Sequence, residues 1–555
     1  MIRYYVFLFY KTMFTFNIIC DIFNMEVGSE MKKKKVIIIG AGPAGLTAGY
    51  HLLKNSKDYE VVILERDKQV GGISKTINYN GNRMDLGGHR FFTKDEKINN
   101  IWKDILPVQG KGSYDDVKLK TTNKEYVKKG PNPEKEDKVF LIRNRISRIY
   151  YNKKFFNYPV NLSFNTIKNL GFVKTFISGF SYLKSMIIKK EESNLENFYI
   201  NRFGKKLYSI FFKGYTEKLW GRSPSEIDSS WGKQRVKGLS IIKVLKDAFC
   251  RLFGIKNKNK ETSLIEQFYY PKYGPGQMYE EMEKHFVKMG GTILKNHNVV
   301  KINNNKNKID SIVCTDKDNN EVEIKGDIFI SSMAIKDLVE GMDKVPNNIY
   351  DIAVNLPYRD FVTIGLVLDK LKIKNNTKIN TLNNIVPDTW IYIQSSDVKM
   401  GRIQVFNNWS PYLVKNVQKS VSLGLEYFCY ENDELWNSSD EELRDLAFNE
   451  LVNMGIIEDN SKVLNYHVER VLKAYPAYFD SYKEFDVVKE YLNTFDNLYC
   501  IGRNGQHRYN NMDHSMMTAI VCINNILEGR KDKENIWSVN TEEVYHEEKD
   551  KEENR

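Results

Sequence analysis

Two short apolar runs near the start of the chain predict a buried βαβ unit. Residues 36–39 and residues 61–64 each form four consecutive aliphatic positions, a pattern typical of parallel strands that are covered on both faces. The segment between them has the apolar spacing of a helix. The pattern therefore predicts a strand, a helix and a second strand parallel to the first.

A glycine-rich turn joins the first predicted strand to the helix. Gly40 permits the tight turn, Gly42 lets the backbone approach a pyrophosphate, and Gly45 lets the helix pack closely on the strand. The helix N-terminus offers free N–H groups and a positive dipole end to that pyrophosphate. Glu65, at the end of the second strand, is placed to accept a hydrogen bond from a ribose hydroxyl. A purely structural turn is the alternative, but strand, turn, helix and acid together indicate a dinucleotide-binding domain.

Later parts of the chain alternate between strand-like and helical patterns. Residues 140–159 alternate as strands around a turn at 152–154, and residues 161–260 repeat apolar side chains at helical spacing. Further elements are predicted as a helix at 277–288, strands at 298–302, 312–314, 327–332, 361–368 and 497–503, and a helix at 513–527. Residues 111–139, rich in lysine, acids, glycine and proline, predict a solvated loop or weak hairpin. The buried strand at 327–332 indicates that the chain returns to the dinucleotide-binding domain.

Composition narrows the class of protein. The 555 residues are 41% hydrophobic and 28% charged, as expected of a folded soluble protein with more than one domain. The net charge of +12 suits an anionic substrate, a membrane surface or nucleic acid equally, but no basic-aromatic RNA-binding motif is recognisable, so no nucleic-acid partner is expected. The six cysteines form no CxxC motif and the eight histidines show no metal-ligand spacing. We therefore expect a reducing, cytoplasmic location and no structural metal.

Three segments stand apart from the predicted domains. Lys11 and Asp21 interrupt the apolar runs of residues 1–30, so no spanning segment is formed; we interpret these residues as an upstream extension or a mistaken start, with a membrane-associating helix as the alternative. The basic amphipathic residues 241–253 predict a packed helix, with a peripheral membrane contact as the alternative. Residues 541–555, with seven acids against three bases, predict a disordered tail.

Two further glycine pairs extend the cofactor prediction. Gly71 and Gly72 follow the acid closely, as in flavin enzymes, because an extended FAD needs a second close backbone approach to its phosphates. Gly87 and Gly88 likewise predict a stretch of backbone that lies directly against the cofactor. His89, which follows them, is interpreted either as a neighbour of the flavin ring or as a structural turn histidine.

These motifs together resemble FAD enzymes with the glutathione-reductase-type fold, a group that includes amine oxidases, protoporphyrinogen oxidase and UDP-galactopyranose mutase. Residues 87–93, 211–221 and 502–513 resemble the mutase branch in particular. The resemblance covers most of residues 31–530. It implies an α/β fold, in which a Rossmann-like FAD-binding domain of the glutathione-reductase type carries an inserted mixed α+β substrate domain.

The implied organisation interleaves these two domains. The FAD-binding domain is expected at residues 31–110, 266–345 and 491–530, and the substrate domain at residues 111–265 and 346–490. Residues 1–30 and 531–555 lie outside both, as the extension and the charged tail.

The resemblance also implies roles for individual residues. The candidates for FAD binding are Gly40, Gly42, Ala44, Gly45, Glu65, Arg66, Gly71, Gly72, Gly88, His89, Arg503, Met512 and Asp513. The candidates for substrate binding are Tyr215, Trp220, Arg235, Tyr358, Arg508 and Tyr509. Arg235 falls at a diphosphate-binding arginine and Trp220 at a tryptophan of the nucleotide-sugar cleft. The resemblance implies that the flavin N5 atom, and no protein side chain, is the reacting group. His89 and Arg235 are expected to support the reaction.

Some positions depart from the mutase pattern. Phe92, His507 and Asn511 replace the expected residues. The second diphosphate arginine should follow the strand at 358–368, where Asp369 and Lys370 stand instead. Lysine supplies charge but not the bidentate fork of arginine. The exact substrate therefore stays open.

The mutase resemblance implies that reduced FAD attacks the anomeric carbon of a UDP-hexose through its N5 atom. The enzyme would interconvert pyranose and furanose forms of a nucleotide-sugar for surface polysaccharide synthesis, and the helix at 513–527 would stabilise negative charge on the reduced flavin. An FAD-dependent oxidoreductase of the amine oxidase or protoporphyrinogen oxidase type is the alternative, favoured by the missing arginine. A third interpretation is a non-enzymatic protein of the Rab-escort type, which shares the fold without FAD; the intact glycine turn and Glu65 argue against it.

Overall fold

The computed structural model describes residues 33–158, 164–229, 231–232 and 267–539. Three predictions lie outside the described residues, namely the extension at 1–30, the amphipathic segment at 241–253 and the acidic tail at 541–555. The candidate Arg235 also lies outside them.

The strands are numbered in chain order. They are β1 (Lys34–Ile39), β2 (Tyr59–Glu65), β3 (Thr76–Tyr79), β4 (Asn82–Asp85), β5 (Phe140–Asn144), β6 (Ser147–Tyr151), β7 (Lys154–Asn157), β8 (Gln267–Pro271), β9 (Thr292–Lys295), β10 (Asn298–Asn305), β11 (Lys308–Thr315), β12 (Glu321–Lys325), β13 (Ile328–Ser331), β14 (Tyr358–Leu368), β15 (Trp390–Ile393), β16 (Arg402–Val405), β17 (Val421–Cys429), β18 (Val463–Pro476) and β19 (Leu498–Cys500).

The α-helices of the described residues are numbered in the same way. They are α1 (Pro43–Asn55), α2 (Glu96–Ile105), α3 (Tyr114–Leu119), α4 (Phe164–Leu170), α5 (Phe172–Ile187), α6 (Leu195–Phe211), α7 (Lys213–Trp220), α8 (Pro275–Lys288), α9 (Ile335–Glu340), α10 (Asn347–Val354), α11 (Phe406–Trp409), α12 (Glu434–Asn437), α13 (Asp440–Asn453), α14 (Phe485–Asn493), α15 (Gly502–Gly505), α16 (Met512–Glu528) and α17 (Glu534–Trp537).

Five parallel strands form the sheet of the dinucleotide-binding unit. Their order is β19-β13-β1-β2-β9, so the first strand of the chain is central. β1 pairs with β2 and with β13 in parallel register, with Val36 opposite both Val61 and Ile328. The last four residues of β1 are buried because the sheet is covered on both faces. The predicted βαβ unit and the predicted return of the chain at residues 327–332 are therefore confirmed.

A second, seven-stranded sheet is mixed, with the order β18-β14-β17-β16-β15-β6-β7. All its pairs are antiparallel except β15 with β6. Every residue of β14 and β17 is buried, so the centre of this sheet lies inside the molecule. β10, β11 and β12 form a separate antiparallel sheet of three strands. This combination of a parallel and a mixed sheet with helices confirms the predicted α/β class.

The closing helix α16 packs against the opening helix α1. Leu46 of α1 shares one apolar core with Met516 and Ile520 of α16. Gly502 permits the close approach just before α16, because its φ is +76° and a Cβ there would lie 2.8 Å from the Cβ of Ala44. The two ends of the chain's dinucleotide-binding unit are thus in direct contact.

The prediction for residues 111–139 is wrong in part, because they contain the short helix α3 rather than a hairpin. Ser113 and Asp116 form a capping box at its start. Asp115 accepts a hydrogen bond of 2.7 Å from the buried guanidinium of Arg143, and Asp116 pairs with Lys124. These charged side chains are buried in pairs. The polar composition of residues 111–139 therefore wrongly indicated that the segment is exposed to solvent.

Gly45→Ala is expected to destabilise the fold. A Cβ at residue 45 would lie 1.8 Å from the carbonyl oxygen of Gly40, so α1 would have to move away from the turn. Overpacking of this kind costs about 1–3 kcal/mol, measurable by urea unfolding. Gly179→Ala in α5 is the matched control, because nothing lies within 4 Å of a Cβ there. Equal stability of the two variants would contradict the packing described.

The stability of the fold is also expected to depend on pH through His507. This side chain is fully buried against Tyr358 and Phe485, and its Nε2 lies 3.0 Å from the carbonyl oxygen of Ala477. Burial lowers the pKa of His507 from 6.5 to about 4. The unfolded chain therefore takes up a proton that the folded chain does not, and stability falls as the pH drops from 6.5 towards 4.

Between pH 7 and pH 5 this histidine should account for a loss of about 2 kcal/mol in the free energy of unfolding. His507→Gln should remove that part of the pH dependence when urea unfolding is compared at the two pH values. An unchanged pH dependence in the variant would show that His507 does not carry it.

Candidate active site

One continuous cavity of about 1800 Å³ joins the first glycine turn to the closing helix. Its wall includes Gly42 and Glu65, the start of α16 at Met512, and aromatic side chains of α6 and α7. Small-molecule pockets usually measure roughly 300–1,000 Å³, so this cavity has room for a cofactor and a substrate together.

The first glycine turn supplies a wall of bare backbone. Gly40 has a left-handed φ of 96°, which turns the chain sharply from β1 into α1. Gly42 is the N-cap of α1, and no side chain caps the helix. Because Gly42, Pro43 and Ala44 line the cavity, the uncapped start of α1 is available to a phosphate group.

Glu65 lies beside this turn at the end of β2. Its carboxylate accepts hydrogen bonds from the backbone N–H of Ala41 at 2.7 Å and of Asp67 at 2.9 Å. Burial raises the pKa of Glu65, against the opposing effect of these two N–H groups. The carboxylate is thus held at the cavity wall by backbone donors, while its oxygens retain capacity to accept from a ligand hydroxyl.

The second glycine pair packs directly on the first turn. The backbone N–H of Gly71 donates to the carbonyl oxygen of Ala41 at 2.9 Å. A Cβ at Gly42 would lie 3.9 Å from the Cα of Gly72, so the two turns face each other across a narrow gap. Gly42 and Gly72 both line the cavity, which provides two backbone surfaces for one extended phosphate-bearing ligand.

The N-terminus of α16 forms another part of the wall. Asn511 is its N-cap, and Asn510, Asn511, Met512 and Asp513 line the cavity. Asn510 accepts a hydrogen bond of 2.8 Å from Ser515, while its buried Nδ2 has no partner among the described residues. The positive end of this 17-residue helix therefore faces the cavity.

His89 lies on the cavity wall after the third glycine pair. Its Nδ1 is 2.9 Å from the carbonyl oxygen of Gly87. Burial and, to a smaller extent, the neighbouring Arg503 lower the pKa of His89 to about 4, against the opposing effect of the hydrogen bond to Gly87. The imidazole is therefore neutral at pH 7, and because a carbonyl only accepts, Nδ1 carries the proton and Nε2 is an acceptor.

Arg402 is a buried charge at the cavity wall. It projects from β16 and donates to Glu426 at 3.0 Å and to the hydroxyl of Tyr475 at 3.3 Å, with a further hydrogen bond to Tyr215. Burial opposes its charge, but Tyr215, Tyr475 and Glu426 hold the pKa of Arg402 well above its usual value. Arg402 is therefore a permanent cation whose guanidinium reaches the cavity.

Aromatic rings surround this cation. Tyr475 and Tyr509 are stacked with ring centroids 5.5 Å apart, and the guanidinium of Arg503 lies 4.3 Å from the ring of Tyr509. The wall continues with rings from several elements: Tyr199, Phe203, Phe211, Phe212, Trp231, Phe268, Trp390 and Tyr392. Such a wall accepts a planar or apolar group next to one anionic group.

Most of the predicted cofactor residues meet at this cavity. Those that line it are Gly40, Gly42, Ala44, Glu65, Arg66, Gly72, Gly88, His89, Arg503, Met512 and Asp513. Gly45 and Gly71 lie behind the wall, where they allow close backbone packing.

The predicted substrate residues divide into two groups. Tyr215 and Tyr509 line the cavity. Trp220, only 1% exposed, packs edge-on against Trp231 and Tyr509 behind the wall. The buried ring of Tyr358 packs on that of His507 instead, and Arg508 donates to the backbone carbonyls of Trp537 and Val539.

Arg402 is the main cavity residue that sequence reasoning missed. Its strand β16 lies two positions in the seven-stranded sheet from β14, the strand after which an arginine was expected. Lys370, which stands at the expected place, is exposed and lies 3.9 Å from Glu458. The available signal was a charged residue inside the short apolar pattern at residues 402–405.

The described residues fit FAD, the predicted cofactor. Two facing glycine turns leave no side chain in the path of a pyrophosphate, and Glu65 is placed for a ribose. The start of α16 offers backbone N–H groups and its positive dipole end to a polar ring edge. A Cβ at Gly88 would lie 2.6 Å from the ring of Trp390, so the backbone also approaches the aromatic wall closely there.

A family model described as an NAD(P)-binding Rossmann-like domain matches residues 38–105. A curated protein of Klebsiella pneumoniae named as a probable UDP-galactopyranose mutase is 28% identical over 214 residues, which is 36% of this chain and 44% of that protein. The chain thus matches less than half the length of this curated relative.

Solved structures extend the likeness over the whole fold. A crystal structure of reduced UDP-galactopyranose mutase matches with a TM-score of 0.71 and 20% identity, over 92% of this chain and 100% of the other. A protein from Exiguobacterium sp. 255-15, designated a candidate protoporphyrinogen oxidase, matches with a TM-score of 0.61 and 14% identity, over 90% of this chain and 100% of the other. The predicted resemblance in fold is confirmed.

Arg402→Gln is expected to destabilise the protein strongly. The change leaves the fully buried carboxylate of Glu426 with only Gln404, which donates to it at 3.2 Å. Removing one partner of a buried ion pair costs about 3–5 kcal/mol, measurable by urea unfolding.

The double variant Arg402→Gln/Glu426→Gln removes both charges and should recover most of that loss. If the double variant were as unstable as Arg402→Gln alone, the unpaired carboxylate would not be the cause.

Proposed function

We propose that this protein is an FAD-dependent enzyme that interconverts the pyranose and furanose forms of a nucleotide-sugar. The observation that carries the proposal is the position of Arg402, which brings a permanent guanidinium to an aromatic wall in the same cavity as the two glycine turns. A nucleotide-sugar has the matching chemistry, since it joins a planar base and a sugar through a diphosphate.

The chain's own residues divide the work between cofactor and substrate. The glycine turns and Glu65 bind the dinucleotide, and the N-terminus of α16 favours negative charge near it. Reduced FAD, when bound, supplies a nucleophilic ring nitrogen to the reaction. Arg402 orients the diphosphate, while Tyr215 and Tyr509 offer hydroxyls beside it. His89 is neutral at pH 7. Its Nε2 accepts a hydrogen bond, and the side chain adds no charge to the site.

The fold likeness to a reduced UDP-galactopyranose mutase supports this proposal over most of the chain. Among the substrate residues expected from the mutase pattern, Tyr215 and Tyr509 line the cavity. Arg402 provides a buried guanidinium at the cavity wall, whereas Lys370 is an exposed ammonium.

An FAD-dependent oxidoreductase is the second candidate, and one specific observation favours it. Glu426 already neutralises Arg402, and much of the remaining substrate wall is aromatic. An apolar substrate that donates a hydride would be accommodated there without a diphosphate. The protoporphyrinogen-oxidase-type neighbour has this fold as well.

The test is conversion of UDP-galactopyranose by the full chain, loaded with FAD, reduced with dithionite and kept anaerobic. Chromatography of the nucleotide-sugars should show the furanose form only with reduced protein. The folded double variant Arg402→Gln/Glu426→Gln is the matched control. Its rate of UDP-galactopyranose conversion should be lower by about 100-fold or more, because it lacks the guanidinium of Arg402.

A different result would favour the oxidoreductase. Absence of conversion by the reduced wild type, together with oxygen uptake when amines or porphyrinogens are added to the oxidised protein, would overturn the mutase proposal. Conversion by the double variant at the wild-type rate would contradict the role given to Arg402.

A further inference from the structure

Helix α5 exposes a continuous apolar face to solvent. Phe172 is 80% exposed, Phe176 is 78% exposed and Phe180 is 68% exposed. They repeat at intervals of four residues, which places them on one side of the helix. The face is completed by three aliphatic side chains, Val173, Leu183 and Ile187. Single exposed apolar residues are common, but a contiguous set of this size marks an interaction surface.

The charged side chains of α5 and of its flanking residues 164–171 and 188–190 are all basic. Residues 164–190 contain five lysines and no aspartate or glutamate. The lysines are Lys168, Lys174, Lys184, Lys189 and Lys190. An apolar helical face with basic flanks matches a surface that is both apolar and anionic.

We propose that the apolar face of α5 docks on an anionic lipid membrane. A second copy of the chain is a poorer partner, because a symmetric contact would place the same lysines against each other. Among the described residues no helix is long and apolar enough to cross a bilayer, so the helix lies in the interface rather than spanning it. The phenylalanine rings enter the acyl boundary while the lysines contact the headgroups.

The opposite face of α5 gives this contact a consequence for the active site. Ser178 and Tyr182 are buried on that side and line the cavity, and Leu183 of the apolar face also lines it. Only one helix, roughly 10 Å in diameter, then separates the cavity from the lipid surface. Membrane docking would therefore position the active site next to substrates or partner enzymes that reside in the bilayer.

The test is co-sedimentation of the full chain with vesicles of phosphatidylcholine alone and with phosphatidylglycerol added. The wild type should bind the anionic vesicles, with an affinity that falls as salt is raised. The variant Phe172→Ser/Phe176→Ser/Phe180→Ser should bind at least about 10-fold more weakly, because each ring loses its burial in the acyl boundary. Leu464→Ser/Val117→Ser, at exposed apolar positions elsewhere, is the control and should bind like the wild type.

A second pair of variants tests the charges without touching the apolar face. Lys174→Gln/Lys184→Gln should weaken binding to anionic vesicles about 10-fold, whereas Lys374→Gln/Lys378→Gln, on another exposed segment, should not. Melting midpoints and flavin content should be the same in all variants.

Two results would overturn the proposal. One is equal vesicle binding by the wild type and the triple phenylalanine variant. The other is absence of vesicle binding by the wild type; if analytical ultracentrifugation then shows a dimer that the triple variant dissociates, the face belongs to a second copy, and if it shows a monomer, no docking surface exists there.

Discussion

The close approach of backbone segments around the first glycine turn is the constraint on which the rest of the structure depends. At Gly45 the helix α1 lies so near the turn that even a methyl group would collide with the carbonyl of Gly40. At Gly502 the segment before α16 also comes close, since a Cβ there would lie 2.8 Å from the Cβ of Ala44. Since neither contact tolerates a side chain, β1, α1 and α16 are held in one arrangement, and the cavity between the glycine turns and α16 follows from it.

A second constraint sets the chemistry of the substrate side. Arg402 and Glu426 are buried together in the seven-stranded sheet, and their charges are satisfied by each other and by tyrosine hydroxyls. A buried pair of this kind contributes little net stability, but it fixes the position of the guanidinium. The parallel sheet thus leads into the glycine turns and the mixed sheet carries the buried guanidinium, and both line one cavity.

Local features of the sequence predicted much of this arrangement, whereas contacts between distant segments were beyond it. Short local patterns are enough to identify several features. These are the glycine turn, Glu65, the glycine pairs and the start of α16, and the sequence predicts all of them. Arg402 reaches the cavity only because β16 lies two strands from β14, a relation that no local pattern contains. Trp220 and Arg508 belong to the recognised stretches, but Trp220 packs among other aromatic side chains and Arg508 holds the C-terminal backbone.

The central claim, that the glycine turns and α16 enclose one FAD, is tested most directly by the cofactor content of the purified full chain. The protein should be incubated with FAD, separated from free FAD by gel filtration, and heated to release what remains bound. One FAD per folded chain, identified by mass, is expected. Before release, the protein should show an absorbance band at about 450 nm. A folded chain that retains no flavin after this treatment would contradict it.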